Sequence, residues 1–197
     1  FGEPLDESVG GEVLEFRTGE NLDYTLMDSS NAYPRKELKR WRRHVVLLKP
    51  DITLVLDEIE ARRDNAEMTV RFHSECPQRI MDGWTKLDGA DGDMALIPAC
   101  SEALSMKPGR HAQLQIKENA RFEWLDYVDT VVRPSGRKTV VAHVILPVDS
   151  GDEVSAVAGS VIISDTSGGG MDVSLVKDGK RHTFSFVKGR DGLILKK

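Results

Sequence analysis

Residues 41–75 most constrain the fold, because they combine long strand-like runs with a turn between them. Residues 38–48 and 52–59 are rich in branched apolar side chains, and Lys49-Pro50-Asp51 separates them. Proline and aspartate are typical of tight reversals. Residues 68–74 then alternate between apolar and polar side chains, the period of a half-buried strand. The segment therefore predicts three successive antiparallel strands at the centre of a large sheet.

The remainder of the chain continues this pattern of short strands and turns, with little helical periodicity. Roughly a dozen strands at a spacing of about 8–12 residues are typical of two packed antiparallel sheets. We therefore predict one all-β domain over residues 1–197, a large two-sheet antiparallel β-sandwich of the supersandwich type. The further predicted strands are residues 13–16, 22–27, 78–81, 84–87, 94–98, 112–117, 131–133, 139–146, 154–157, 161–164, 171–177, 182–187 and 193–195.

The charge balance argues against a general nucleic-acid-binding protein. The chain has 27 basic and 32 acidic residues and a net charge of −5, whereas such proteins carry a basic excess or stripe. The short basic cluster from Arg35 to Arg43 leaves room for a local polyanion site. No apolar run reaches the ~18 residues of a membrane span. Because the sequence starts at Phe1, without an initiator Met or a signal, we expect a piece of a longer protein.

The sequence predicts neither a metal site nor a cofactor. His44, Asp57 and His73 lie on successive predicted strands, but no two have a diagnostic ligand spacing. Asp57 is expected to serve as a turn partner or a salt-bridge acceptor instead. Two cysteines, Cys76 and Cys100, are too few for a disulfide framework, and buried thiols are favoured over a bridge.

Five residues are candidates for substrate binding. In residues 68–74, Arg71 and His73 share the face opposite the apolar Met-Val-Phe set, so that face is polar or lines a site. The loop at residues 29–35 presents Tyr33 and Arg35, and a guanidinium can donate two parallel hydrogen bonds to a carboxylate or sulfate. Trp84 follows a turn and is expected to be the tryptophan best exposed for sugar stacking. Packing roles for these aromatic residues remain the alternative.

Several segments resemble heparinase II/III-like polysaccharide lyases. They are Gly10-Gly11-Glu12-Val13, Asn31-Ala32-Tyr33, residues 40–50 (RWRRHVVLLKP), residues 54–59 (LVLDEI), Phe72-His73 and residues 143–147 (HVILP). The resemblance implies a C-terminal β-sandwich that packs against an N-terminal α-helical toroid of the same chain. It also implies a bacterial, periplasmic or secreted protein that acts on a glycosaminoglycan or another acidic polysaccharide.

The reaction that this family performs is β-elimination next to a uronate carboxylate, which needs acid–base groups and a neutralised carboxylate. The family's His-Asn segment is absent here, and its metal ligands also precede the matching region. No catalytic residue is therefore assigned, and the chain alone is expected to be inactive. The alternative functions are a non-catalytic carbohydrate-binding module and a structural interaction domain.

Overall fold

The computed structural model describes residues 10–33, 35–115 and 121–196, and within these ranges most of the regular structure is β-strand. A short 3₁₀ helix covers Ser30–Ala32, and one α-helix, α1, covers Gly151–Ser160. The strands are β1 (Glu12–Arg17), β2 (Leu22–Asp28), β3 (Leu38–Leu48), β4 (Ile52–Ala61), β5 (Met68–Ser74), β6 (Gln78–Ile80), β7 (Thr85–Leu87), β8 (Met94–Cys100), β9 (Leu104–Gln115), β10 (Arg121–Val132), β11 (Lys138–Pro147), β12 (Ile162–Thr166), β13 (Gly170–Lys177), β14 (Lys180–Lys188) and β15 (Leu193–Leu195).

These strands form three antiparallel sheets. The largest has eight strands in the order β1-β2-β3-β4-β11-β8-β7-β6. A three-stranded sheet has the order β5-β10-β9, and a four-stranded sheet has the order β12-β13-β14-β15. The all-β prediction is confirmed, with two large antiparallel sheets and a small additional one, but β5, predicted to continue the sheet of β3 and β4, pairs with β10 in the three-stranded sheet.

The eight-stranded sheet is the middle layer, because both of its faces are covered. Along β4, Leu54 and Leu56 belong to the core shared with α1 and the four-stranded sheet. Ile59 and Ala61 belong to the core shared with the three-stranded sheet. The pairing of β4 with β11 runs without a bulge, so residues of opposite parity point to opposite faces. Asp57 therefore faces the three-stranded sheet, as Ile59 does.

Residues 154–157, predicted as a strand, instead lie in α1. Ser150 is the N-cap of this helix, and its side chain accepts a hydrogen bond from the Glu153 backbone N–H at 3.2 Å. Asp152 and Glu153 lie in the first turn, where carboxylates interact favourably with the helix dipole. The apolar Val154 and Val157 are one turn apart and both buried, so the helix covers the core as a strand would have done.

The hairpin of β9 and β10 is much longer than predicted. The predicted strands at residues 112–117 and 131–133 cover only parts of it, and residues 116 and 117 lie outside the described residues. Cys76 and Cys100 are both free thiols and partly buried. No helix in the described ranges has the length and apolar character of a membrane span.

Candidate functional site

An open groove of about 780 Å³ lies between the eight-stranded and three-stranded sheets. Strand parity places Trp41 and Arg43 on the same face of the eight-stranded sheet as Asp57, and places Thr69, Arg71 and His73 together on one face of β5. We call this open groove the β3–β5 groove. It is lined by Met27, Ser29, Tyr33, Trp41, Arg43, Thr69, Arg71 and His73.

The buried carboxylate of Asp57 fixes two of the groove side chains. Arg43 donates to it twice, from Nε to Oδ1 at 2.8 Å and from Nη2 to Oδ2 at 3.0 Å. The Trp41 indole N–H donates to Oδ1 at 2.7 Å. Burial lowers the pKa of Arg43, but the hydrogen bonds and charge of Asp57 outweigh it and raise that pKa. The prediction that Asp57 is a salt-bridge acceptor is confirmed.

Tyr33 and Trp41 form an aromatic stack at one end of the groove. Their ring centroids are 4.8 Å apart and the planes are inclined by 17°. The loop that carries Tyr33 is attached to β3, because the Trp41 backbone N–H donates to Ser30 Oγ and the Ser29 N–H donates to the Trp41 carbonyl, both at 2.9 Å. Burial raises the pKa of Tyr33, so its phenol remains a neutral donor at physiological pH.

Arg71 and His73 occupy the opposite wall, on the outward face of β5. Arg71 donates to both carboxylate oxygens of Asp129, at 2.7 and 2.8 Å, and its guanidinium lies 3.6 Å from the centroid of the Tyr127 ring. Burial, then the neighbouring His111 and then Arg71, lower the pKa of His73. The alternation predicted for β5 is confirmed, since Arg71 and His73 are exposed while Met68 and Val70 are buried.

Three of the five predicted binding residues, Tyr33, Arg71 and His73, therefore line one groove. Arg35 is exposed but is not a lining residue, and its backbone carbonyl accepts a hydrogen bond from Arg62 Nε. Substrate binding by these four residues stays a prediction.

The prediction that Trp84 is exposed for sugar stacking is wrong. Trp84 is only 1% exposed and packs in the core that the eight-stranded sheet shares with α1. Its indole N–H donates to Ser155 Oγ of α1 at 3.4 Å. The indole is covered because the segment predicted as a strand is the helix α1, and a side chain without an accessible face cannot stack on a sugar.

The groove has the donors needed to bind an anion. Arg43 and Arg71 each use Nε and Nη2 for their carboxylate partners, and within the described part of the chain their Nη1 groups have no partner. A guanidinium held by one carboxylate can still donate to a second carboxylate or a sulfate. Among residues 10–33, 35–115 and 121–196, no cluster of three His, Cys, Asp or Glu side chains is arranged to hold a metal.

Replacing Asp57 should destabilise the protein together with the groove. Asp57→Ala leaves a largely buried guanidinium and an indole N–H without their acceptor, at a cost of about 3 kcal/mol. In thermal unfolding this corresponds to a fall of about 6–12 °C in Tm. Asp57→Asn retains one acceptor oxygen and should lose less.

Asp88→Ala is the matched control for this prediction. Asp88 also accepts two hydrogen bonds from an arginine, Arg79, both at 2.7 Å, but this pair lies at the surface. The control should leave Tm almost unchanged, because solvent replaces the lost partner. Equal effects of the two substitutions would contradict a supporting role for Asp57.

No protein-family model and no curated protein matches this sequence. Solved structures do match it. A crystal structure of heparinase III superimposes with a TM-score of 0.67 at 17% identity, over 90% of this chain and 27% of that one. A second heparinase III gene product gives 0.69 at 13% identity, over 93% and 28%. Heparan sulfate lyase HepC from Pedobacter heparinus gives 0.62 at 13% identity, over 94% and 28%.

At these identities the likeness concerns the fold, and at this level the resemblance predicted from the sequence is confirmed. The chain spans little more than a quarter of the length of these structures. It therefore has the all-β fold of a domain-sized part of heparinase III and of heparan sulfate lyase.

Proposed function

We propose that this chain is the C-terminal β-sandwich domain, over residues 1–197, of a heparinase II/III-like lyase that cleaves uronate-containing polysaccharides by β-elimination. In this proposal the catalytic residues lie mostly upstream, and the β3–β5 groove forms part of the wall that binds the substrate. The fold shared with heparinase III supports the assignment to this class. The observation that carries the groove's role is the pair of guanidinium groups, Arg43 and Arg71, beside the Tyr33–Trp41 stack.

The chemistry of β-elimination explains why such a groove is useful. A base removes the proton next to the uronate carboxylate, and an acid protonates the leaving glycosidic oxygen. Negative charge builds up on the carboxylate as the proton leaves, so preorganised donors stabilise the transition state. The unpartnered Nη1 groups of Arg43 and Arg71 would supply such donors, or would position a neighbouring acidic sugar. No proton transfer is assigned to a residue of this chain.

A bacterial periplasmic or secreted location and an N-terminal α-helical toroid as the intramolecular partner are part of the same proposal. Both are implied by the family resemblance. The location is also expected because a lyase of this class meets its polysaccharide outside the cytoplasm.

Binding by the groove can be tested on this chain with two matched arginine variants. Arg71→Gln should weaken binding of heparan sulfate oligosaccharides about tenfold in calorimetric titration, because a charge-assisted hydrogen bond contributes about 1.5 kcal/mol or more. Arg79→Gln removes an arginine held by two equivalent hydrogen bonds, but outside the groove. It should bind as the wild type does, and an equal loss in both variants would indicate non-specific charge attraction.

Lyase activity needs the longer natural protein. The full-length protein should release unsaturated uronate products from an acidic glycan panel, detected by their ultraviolet absorbance, and this chain alone should release none. Arg71→Gln in the full-length protein should lower kcat/KM. If the full-length protein binds these glycans without cleaving them, the carbohydrate-binding alternative replaces the lyase proposal.

A further inference from the structure

A second group of aromatic and cationic side chains continues from the groove across the three-stranded sheet. Opposite His73 in the sheet lies Tyr127, and opposite Tyr127 lies Gly109. The Tyr127 ring rests directly on the Gly109 backbone, since a Cβ at that position would come within 2.2–2.4 Å of the ring atoms. Arg71 also lies over this ring, at 3.6 Å. The position of the tyrosine ring thus depends on the absence of a side chain at Gly109.

His111 completes this group. Its ring lies 4.7 Å from that of His73 in an edge contact and 6.0 Å from that of Tyr127. Its Nδ1 is buried and has no hydrogen-bond partner in the described part of the chain. We call His73, His111 and Tyr127, with Gly109 beneath them, the histidine–tyrosine platform. It is continuous with the β3–β5 groove, because His73 belongs to both.

The surface around the platform is locally cationic in an acidic protein. Among the described side chains on this face of the three strands, Arg71 and Lys107 oppose the single carboxylate of Asp129. The whole chain has a net charge of −5, so this excess is a local property of the face.

Cationic donors beside tyrosine and histidine side chains are suited to acidic sugars, since a cation pairs with the sugar carboxylate or sulfate, and the phenol and imidazole groups can hydrogen-bond to sugar oxygens. From β5 across β10 to β9 the platform extends over two strand spacings, about 10 Å. That distance accommodates more than one sugar of a linear chain.

Building on the proposed function, we propose that the histidine–tyrosine platform binds a second acidic sugar of the same glycan chain that occupies the β3–β5 groove. The site then recognises an oligosaccharide rather than a single disaccharide. His111 and Tyr127 provide the outer position, whereas Tyr33, Trp41 and Arg43 provide the inner one. Arg71 and His73 lie between them and serve both.

The dependence of affinity on oligosaccharide length tests this proposal. Size-defined heparan sulfate di-, tetra- and hexasaccharides are titrated into this chain. The wild type should bind the hexasaccharide about tenfold more tightly than the disaccharide, and His111→Ala should abolish this gain while leaving disaccharide affinity unchanged. Gly109→Ala should also abolish the gain, because the new Cβ displaces Tyr127; since Arg71 of the groove rests on the Tyr127 ring, this variant should weaken disaccharide binding as well. His182→Ala, on β14 of the four-stranded sheet, is the control and should retain the full gain.

The outcomes distinguish this proposal from the one on which it rests. A length-dependent gain that persists in His111→Ala overturns the platform and leaves the groove intact. Disaccharide binding without any length dependence in the wild type does the same. No binding of any oligosaccharide overturns glycan binding by the groove and by the platform together. Thermal unfolding of each variant checks that a lost increase in affinity is not caused by loss of the folded structure.

Discussion

At about pH 4.5 the chain should be about 4 kcal/mol less stable towards unfolding than at about pH 7, about 2 kcal/mol for each of two buried histidines. His44 and His143 are both completely buried. Burial, followed by the charge of Arg42, lowers the pKa of His44 to about 4. Burial, followed by the charge of Arg43, lowers the pKa of His143 to about 3.

The hydrogen bonds of the two rings explain why protonation is unfavourable. His44 Nδ1 pairs with the Tyr24 hydroxyl at 3.0 Å, and His143 Nε2 pairs with the Thr130 hydroxyl at 2.8 Å. The other nitrogen of each ring is buried without a partner among the described residues. The imidazolium form carries a proton on both ring nitrogens, so one buried N–H of the charged ring would lack an acceptor, and the folded protein keeps both rings neutral.

The direction of the pH effect follows from these lowered pKa values. Below a pH of about 6.5, the pKa of these histidines in the unfolded chain, both side chains become protonated in the unfolded state but stay neutral in the folded state. The stability is therefore complete above about pH 6.5 and decreases as the pH falls towards the folded values. Denaturant unfolding between about pH 7 and pH 4.5 measures this, in a range where most unfolded carboxylates have not yet been protonated.

A double variant separates the histidines from other acid effects. His44→Gln/His143→Gln keeps a hydrogen-bonding group near Tyr24 and Thr130 but cannot titrate. It should be less stable than the wild type at pH 7, yet lose much less stability on acidification. His182→Gln, a histidine substitution outside both cores, controls for the change of side chain and should leave the unfolding free energy at pH 7 close to that of the wild type. A wild type equally stable at both pH values would contradict the argument.

Much of the strand framework could be predicted from the sequence, because period-two alternation and turn residues are local signals. The bounds of β3, β5 and β15 match the predicted strands. The helix α1 was missed because its apolar residues were interpreted as a strand. The sequence does contain a helix signal there, since Ser150 and Glu153 have the spacing of a capping box.

The groove was harder to predict, because it depends on register between sheets. The alternation in β5 predicted Arg71 and His73 as binding residues, and the loop at residues 29–35 predicted Tyr33. Trp41 and Arg43 were not among the predicted binding residues, although Arg43 belongs to the basic cluster for which a local polyanion site was considered. Their role depends on Asp57, which lies opposite Arg43 in the pairing of β3 with β4. Arg43 and Asp57 are opposite charges whose side chains lie on the same face of two neighbouring predicted strands. A search for such pairs would have suggested this one.

Trp84→Ala should cost about 4 kcal/mol of unfolding free energy, the usual loss for truncating a large buried aromatic side chain. The corresponding fall in Tm is about 8–16 °C. Trp84 immediately precedes β7 and fills the space between the eight-stranded sheet and α1, where the indole also donates to Ser155. Removing the ring leaves a cavity that the two packed layers cannot close. Thermal unfolding monitored by circular dichroism measures the change.

Trp124→Ala is the matched control, because this indole is 61% exposed. It should change the unfolding free energy by at most about 0.5 kcal/mol. At a temperature where the Trp84→Ala variant is still folded, the affinity of this variant for acidic oligosaccharides should equal that of the wild type, since Trp84 does not line the groove. A Trp84→Ala variant with unchanged Tm and lost glycan binding would instead restore the exposed, sugar-stacking role. The same residue thus separates a packing function from a binding function, because burial predicts a loss of stability and exposure predicts a loss of affinity.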